Sequence, residues 1–558
     1  MGQDAISLVE LLATIQRKTM PWLNLINRYM GSHDIGNITD ADDPQASYLL
    51  HCWGRMCRVL GQDFLSYLQV VIGPLTTLAG AKADIQLIED DEQIAQIEQN
   101  EAWEIVPLKG KVIGIKTSTL DDKHMAIELI NIYAQVLQGS FEPYVNEIMD
   151  KIALPGLAFF FHDPVRVASA KCVPNLLNCS KQANGTGSAR LGQLWERTVE
   201  KVLEVLSTEP AIDTLAEMYQ CFYECVEVIG KNCLTAVHMS GFIEAAKGVL
   251  EEHQQRVRER QEEATEKEEG EEESEETLFA IEDDQTLLSD MNKAFHTIFK
   301  NMGTAFLPHW ERLIQFYDTY ATSQDATQRQ WAICIFDDVL EFCGPTSWNY
   351  NGHIIQPLVT GMQDDVSANR QAAAYGVGVA AHKGGQNWAE FVSASLPMLF
   401  AVTQRPSARE DEDVYATENA CASIAKILHY CNAKVQNPQE VVQAWVETLP
   451  VVNDEEAAPY AYAFLAQLIE QYVSLPPRIF HEGSADGVKR QNPAVITQAA
   501  KCFTFVVQAL EAETLQGQTA TRIVGAAKQL VQTANLDANQ LLQTMSPETQ
   551  QTVRAFFG

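Results

Sequence analysis

The chain has 558 residues, with 40 Lys and Arg against 74 Asp and Glu, and a net charge of −34 at neutral pH. A field of that sign repels nucleic-acid phosphate and anionic lipid and attracts basic proteins, so direct nucleic-acid binding and membrane-surface roles are disfavoured. Hydrophobic residues make up 46%, enough for a large core, yet no run approaches the roughly 18 to 20 apolar residues that would span a bilayer.

The opening MGQDAIS has no basic stretch followed by an apolar one, so no signal peptide is expected, and Ile6 breaks the myristoylation pattern. The twelve cysteines, many of them in apolar helical patterns as Cys221 and Cys225 are, read as reduced core thiols of a cytosolic or nuclear protein. The sequons at Asn37, Asn178 and Asn184 then read as chance matches.

One element recurs along the chain: a turn containing Asp, often an Arg or Lys after it, small residues at helical spacing, and a run rich in Leu, Val and Ile. In chain order it appears as DDPQASYLLHCWGRMCRVLG from Asp42, DDKHMAIELINIYAQVLQG from Asp121, FHDPVRVASAKCVPNLL from Phe161 and EPAIDTLAEMYQCFYECVEVIG from Glu209. It continues as DATQRQWAICIFDDVLEFCG from Asp325, DDVSANRQAAAYGVGVAAHKG from Asp364, EDVYATENACASIAKILHYC from Glu412 and DEEAAPYAYAFLAQLIEQY from Asp454. The regular intervals are 40 to 47 residues, the period of HEAT and armadillo units rather than the roughly 34 of tetratricopeptide repeats. An amphipathic helix precedes each copy, as in FEPYVNEIMDKIALPGLAFF, so each unit is a helical pair. The Asp is expected to cap the second helix and the Arg to pair with an Asp of the neighbouring repeat, a ladder that favours HEAT over armadillo.

Two intervals are too long and mark insertions. The first carries the acidic, helix-like Ile88–Glu101 and then Ala102–Thr117, whose alternation around Lys109-Gly110-Lys111 predicts a small β-hairpin. The second centres on residues 261–284, with thirteen acids and one Lys, and is expected to be disordered or an extended helical arm. The fold predicted is all-α: a HEAT-repeat α-solenoid, a right-handed superhelix of antiparallel helix pairs, with a β-hairpin insertion and an acidic insertion. Its segments are first repeats over 1–81, the hairpin insertion over 82–120, repeats over 121–253, an acidic, disordered insertion over 254–285 and repeats over 286–558.

No catalytic pattern stands out, and an enzyme is not expected. Gly376-Val-Gly378 lies inside a helical run with no preceding strand, which points to close helix packing rather than a dinucleotide fingerprint. Cys221, Cys225, Cys233 and His238 lack a metal-knuckle spacing and read as buried thiols; no metal or cofactor is expected. His162 reads as a loop residue.

The remaining chemistry suits binding. Asp337, Asp338 and Glu341 crowd one side of a second helix, with Trp331 about two turns earlier. They are either an acidic seat for Lys and Arg side chains with an aromatic surface for their stems, or structural: Asp337 or Asp338 paired with an Arg such as Arg370, and Trp331 in the core. The acidic insertion, densest at Glu271, Glu272, Glu273, Glu275 and Glu276, is either a surface that steers a basic partner or a solvating loop. Trp53, with Tyr48, Arg55 and Arg58, reads as core.

Taken together, DDPQASYLLHCWGRMCRVLG, AWEIVPL with GIKT, FHDPVRVASAKCVPNLL, the acidic insertion, RQWAICIFDDVLEFC and RQAAAYGVGVAA resemble the carboxy-terminal half of nuclear import receptors of the importin-beta superfamily, of the importin-five or karyopherin beta-three type. The resemblance weakens after about residue 410. It implies a monomeric receptor that shuttles between cytoplasm and nucleus and binds basic cargo such as ribosomal proteins and histones. It also implies contact with phenylalanine-glycine nucleoporins and cargo release by Ran in its GTP form. Members of that family are roughly twice this length, so a fragment is expected, with the main Ran-binding repeats and part of the cargo-signal surface upstream. A static scaffold, such as a phosphatase regulatory subunit, would share the repeats without needing a long acidic insertion.

Overall fold

Turns rich in Asp followed by small residues at helical spacing produce long helices, and these stack in order along the chain. The computed structural model describes residues 44–88, 103–108, 111–266, 274–473, 498–534, 536 and 545–557. The chain divides near residue 303 into two compact units. Each is a stack of antiparallel helix pairs, an all-α HEAT solenoid.

The first unit begins with α1 (Pro44–Leu60) and α2 (Leu65–Ala79), then a small sheet, then α3 (Thr117–Leu137). Next come α4 (Glu142–Ile148), α5 (Asp163–Asn184), α6 (Ala189–Leu206), α7 (Ile212–Ile229), α8 (Ala236–Glu266) and α9 (Glu275–Met302). The second helices α1, α3, α5, α7 and α9 pack successively on one another, while α2, α4 and α6 cover α3, α5 and α7. The sequence of α6 shows why: Leu191, Leu194, Trp195, Val199, Val202 and Leu206 fall on one buried stripe, and Ser188 caps the helix by accepting from the Leu191 N–H.

The second unit contains α10 (Ile314–Ala321), α11 (Ala326–Cys343), α12 (Asn351–Gly361), α13 (Ser367–Lys383), α14 (Leu396–Thr403), α15 (Val414–Tyr430), α16 (Pro438–Val446), α17 (Ala458–Val473), α18 (Ala499–Glu511), α19 (Gly517–Thr533) and α20 (Pro547–Phe557). Here α11, α13, α15, α17 and α19 form the successive row. Helix α13 lies between α11 and α15 and is made of small residues for that reason. A Cβ on Gly376 would run into Asp337 Oδ1, and one on Gly378 would run into Ser423 Oγ. Gly376-Val-Gly378 is therefore a helix-packing motif, as expected.

The ladder between repeats is present. Asp325 caps α11 by accepting from Thr327 N–H at 2.8 Å, and Arg329 reaches Asp364 of the next pair with Nε at 2.8 Å and Nη2 at 3.1 Å. Arg370 in turn pairs with Asp413, Asn419 donates to Asp454 at 2.7 Å, and in the first unit Arg166 joins Asp163 to Glu209. The capping is looser than expected: Asp364 and Asp454 accept backbone N–H groups in the turns ahead of their helices, from Val366 and from Glu456 and Ala457.

The first insertion is a three-stranded antiparallel sheet of β1 (Ile85–Ile88), β2 (Trp103–Leu108) and β3 (Lys111–Lys116) in the order β1-β3-β2. Leu108 faces Lys111 in register, which is the hairpin the alternation predicts. Strand β1 departs from the expectation and takes Ile88 from the helix-like reading of Ile88–Glu101; the rest of that stretch, 89–101, lies outside the described residues. Ile113 and Ile115 of β3 seat the sheet on Leu120, Ala83 and Phe159.

The expectation of disorder over 254–285 does not hold for its flanks. Helix α8 continues to Glu266 and α9 starts at Glu275, which matches the alternative expectation of a helical arm. Its base is apolar, with Phe242 of α8 stacked on Phe222 at 4.9 Å and edge-on to Phe295 of α9 at 5.1 Å. Further out, Arg256 and Arg260 both bind Asp284, at 2.6 Å and 2.7 Å. Apolar contact and local neutralisation thus order residues whose average composition argues for disorder.

Candidate partner-binding surfaces

The cluster on α11 is not an open acidic seat. Trp331 is 8% exposed and packs edge-on against Tyr320 at 6.2 Å, so it belongs to the core. Asp337 is 5% exposed, and its Oδ1, pressed against Gly376, has no hydrogen-bond partner among the described residues. Burial, then the charges of Asp338 and Glu341, hold its carboxyl well above the usual carboxylate range. Asp338 is buried beside it.

The pairing with Arg370 is also corrected. That guanidinium is committed to Asp413 and to the carbonyl oxygens of Asp364 and Asp365, at 2.7 Å and 2.6 Å. Glu341 is less buried and bridges to α13, accepting from Tyr375 Oη and Lys383 Nζ, both at 2.7 Å. A carboxylate satisfied by two donors, one of them charged, is a poor anchor for an incoming cation.

Of the acidic insertion, Glu271, Glu272 and Glu273 lie outside the described residues. Glu275 and Glu276 occupy the exposed first turn of α9, where carboxylates complement the helix dipole. Leu278 and Phe279 follow them and are also exposed, so this end of the arm offers acidic and apolar side chains together.

The candidate metal set does not assemble. All twelve cysteines are unbridged, Cys221 and Cys225 are buried on α7, and no group of His, Cys, Asp and Glu among the described residues is placed to hold a metal ion. His162 precedes α5 as its N-cap residue and meets Asp121 at 3.3 Å. Trp53 is core, edge-on to Phe64.

Sequence reasoning missed a second cluster, spread over α13, α15 and α17. Lys426 of α15 is 6% exposed, and its Nζ lies 4.1 Å from the ring centre of Tyr460 and 5.4 Å from that of Tyr375. Burial pushes its ammonium down to about 8. Around it His382 stacks on Tyr430 at 4.6 Å and meets Tyr460 edge-on at 5.6 Å. The available signal was one Lys among the small and apolar residues of ACASIAKIL.

Against known proteins, a family model described as Importin repeat 6 matches residues 214–323, and one described as Importin repeat matches 454–474 and 488–524. Importin subunit beta-3 of Saccharomyces cerevisiae is 31% identical over 496 residues, 88% of this chain and 43% of the relative. The probable importin-5 homolog of Dictyostelium discoideum is 25% identical over 442 residues, 75% of this chain and 38% of the relative. The chain thus spans less than half the length of these curated relatives. Among solved structures, Kap121p bound to RanGTP matches with a TM-score of 0.78 at 27% identity, covering 96% of this chain and 46% of that one. Kap121p bound to Nup53p matches with a TM-score of 0.76 over 95% of this chain and 46% of that one. Stacked helical pairs, the ladder of arginines and these matches agree: the chain belongs to the importin-beta family.

Proposed function

We propose that this chain is part of a nuclear transport receptor that binds basic protein cargo, touches phenylalanine-glycine nucleoporins and gives up cargo to Ran in its GTP form. The observation that carries the reading is the similarity to Kap121p over 96% of the chain, a protein solved with RanGTP, with Nup53p, and with Ste12p and Pho4p. The net charge of −34 supports the choice of basic cargo, of which ribosomal proteins and histones are the expected classes, because a field of that sign raises the encounter rate with cations. The receptor acts as a monomer passing between cytoplasm and nucleus, with no cofactor and no reaction to catalyse.

The mechanism is mechanical. Each helix pair touches only its neighbours, so small changes in packing angle add along a stack. Cargo and Ran favour different packing, and their antagonism is a coupling free energy. The test is fluorescence anisotropy of a labelled Lys-rich cargo segment on the full chain, with Ran locked in the GTP or the GDP form. The expected outcome is a roughly tenfold loss of cargo affinity with the GTP form alone, a coupling of about 1.4 kcal/mol. Equal affinities in the two arms would contradict Ran-driven release by this chain.

A further inference from the structure

Strand β1 is an edge of the small sheet, and its backbone parity is fixed by one bond. The Lys116 N–H donates to the Asp84 oxygen at 3.0 Å, in the same register that sets Ile85 opposite Ile115 and Leu87 opposite Ile113. Bonded and non-bonded pairs alternate along an antiparallel ladder, so Gln86 and Ile88 direct their backbone groups to β3. The N–H and C=O groups of Ile85 and Leu87 then point outward, and among the described residues no partner meets these four groups. The opposite edge, on β2, is guarded: Pro107 falls at an outward position and has no N–H to offer.

Residues that face each other across a ladder share one side of the sheet. Ile85 and Leu87 therefore extend the row of Ile115 and Ile113 past its edge; the inner two are 5% and 8% exposed, the outer two 40% and 48%. Phe159 packs on the inner pair and meets the exposed Phe161 edge-on at 5.6 Å. Lys82 and Asp84, exposed and of opposite sign, precede the strand, and Ile-Gln-Leu-Ile carries no charge.

We propose that the outer edge of β1 is a docking site for an extended segment of a partner protein, uncharged and apolar at every second residue over about four residues, which joins the sheet as a fourth strand. Its backbone meets the outward groups of Ile85 and Leu87, and its apolar side chains continue the row that those two begin. The surface dictates this occupant. Unmet backbone groups two residues apart call for extended backbone, and an apolar row on one side with Gln86 on the other calls for alternation. A strand without charge gives a basic segment no local partner. The proposal is independent of the transport reading. Basic cargo drawn by a net charge of −34 loosens with salt, whereas backbone hydrogen bonds and apolar contact do not.

The test is hydrogen exchange on the full chain, resolved to single residues by mass spectrometry, with and without about 2 mM of a blocked hexapeptide alternating Val and Thr. In the free chain the Ile85 and Leu87 amides are expected to exchange at nearly open-chain rates, while those of Gln86 and Ile88 are protected by β3. The peptide is expected to slow Ile85 and Leu87 roughly five- to tenfold, as a Kd of about 0.2 to 0.5 mM requires, and equally at about 50 and 200 mM salt. The same peptide N-methylated throughout, or with its Val and Thr in separate runs of three, is expected to protect less than about twofold. Leu87→Lys, at a side chain already half exposed, is expected to remove the protection by placing a charge on the edge. Protection in the free chain would overturn the proposal, whether independent of protein concentration, as cover by residues 89–101 would make it, or growing with concentration, as a second copy would. So would equal protection by the N-methylated or run-ordered peptide, none by the alternating one, no effect of Leu87→Lys, or protection lost at the higher salt. None of those results bears on the binding of basic cargo.

Discussion

A carboxyl group buried beside a glycine is a cost that its neighbours have to offset. Asp337 has a raised folded-state pKa, so its ionised form favours the unfolded chain: its contribution is neutral below the ordinary carboxylate range and grows more destabilising as pH rises through it. Asp337→Asn does not titrate, so its stability relative to the parent should rise by about 1 kcal/mol or more between about pH 4 and pH 8, read by urea unfolding. Gly376→Ala should cost about 1 to 3 kcal/mol by overpacking, and Asp337→Ala in the same chain should recover part of that loss. Asp364 behaves in the opposite sense. Burial alone would raise its pKa, but hydrogen bonds from Arg329, Val366 and Asn369 outweigh it and hold the carboxyl at about 2. Its contribution is therefore present above the ordinary carboxylate pKa and lost as pH falls toward 2. Arg329→Ala should cost about 1.5 to 3 kcal/mol at neutral pH, and the difference from the parent should shrink as pH falls below about 4. The Arg329 pairing was legible in the sequence because capping turns recur at a fixed period. The fate of Asp337 was not, because three carboxylates on one side of a helix look the same whether that side meets water or a glycine of the next helix.

Among elements, the acidic arm departs most from its composition. Its outer part is tied by one carboxylate, Asp284, shared by Arg256 and Arg260. Asp284→Asn should speed amide exchange in residues 250–266 and 275–290 by lowering their local opening free energy by about 2 kcal/mol, while the global melting temperature changes little. Faster exchange spread over α3 and α5 as well would mean that the arm is not a separate opening unit. The helix pairs were legible from period and small-residue patterning, and the β2–β3 hairpin from alternation around Lys109-Gly110. Strand β1 was hidden because four residues, Ile85–Ile88, show too little alternation to stand out beside the acidic run that follows. The helical flanks of the acidic insertion were half legible: the count of charges was plain, but the pairing of two arginines with one aspartate across 24 and 28 residues is a tertiary fact.

At the scale of the whole molecule, a scaffold whose repeats each contact their neighbours carries a net charge of −34. Basic protein cargo is proposed to be held by this chain through that charge. The most direct measurement is a titration of the full chain with a Lys-rich cargo segment at about 50 and 200 mM salt. Measurable binding is predicted at the lower salt, with an affinity at least about tenfold weaker at the higher one, as ion-pair contacts are screened. No binding at the lower salt, or an affinity indifferent to salt, would contradict the claim and leave the repeats as a scaffold for partners chosen by other chemistry.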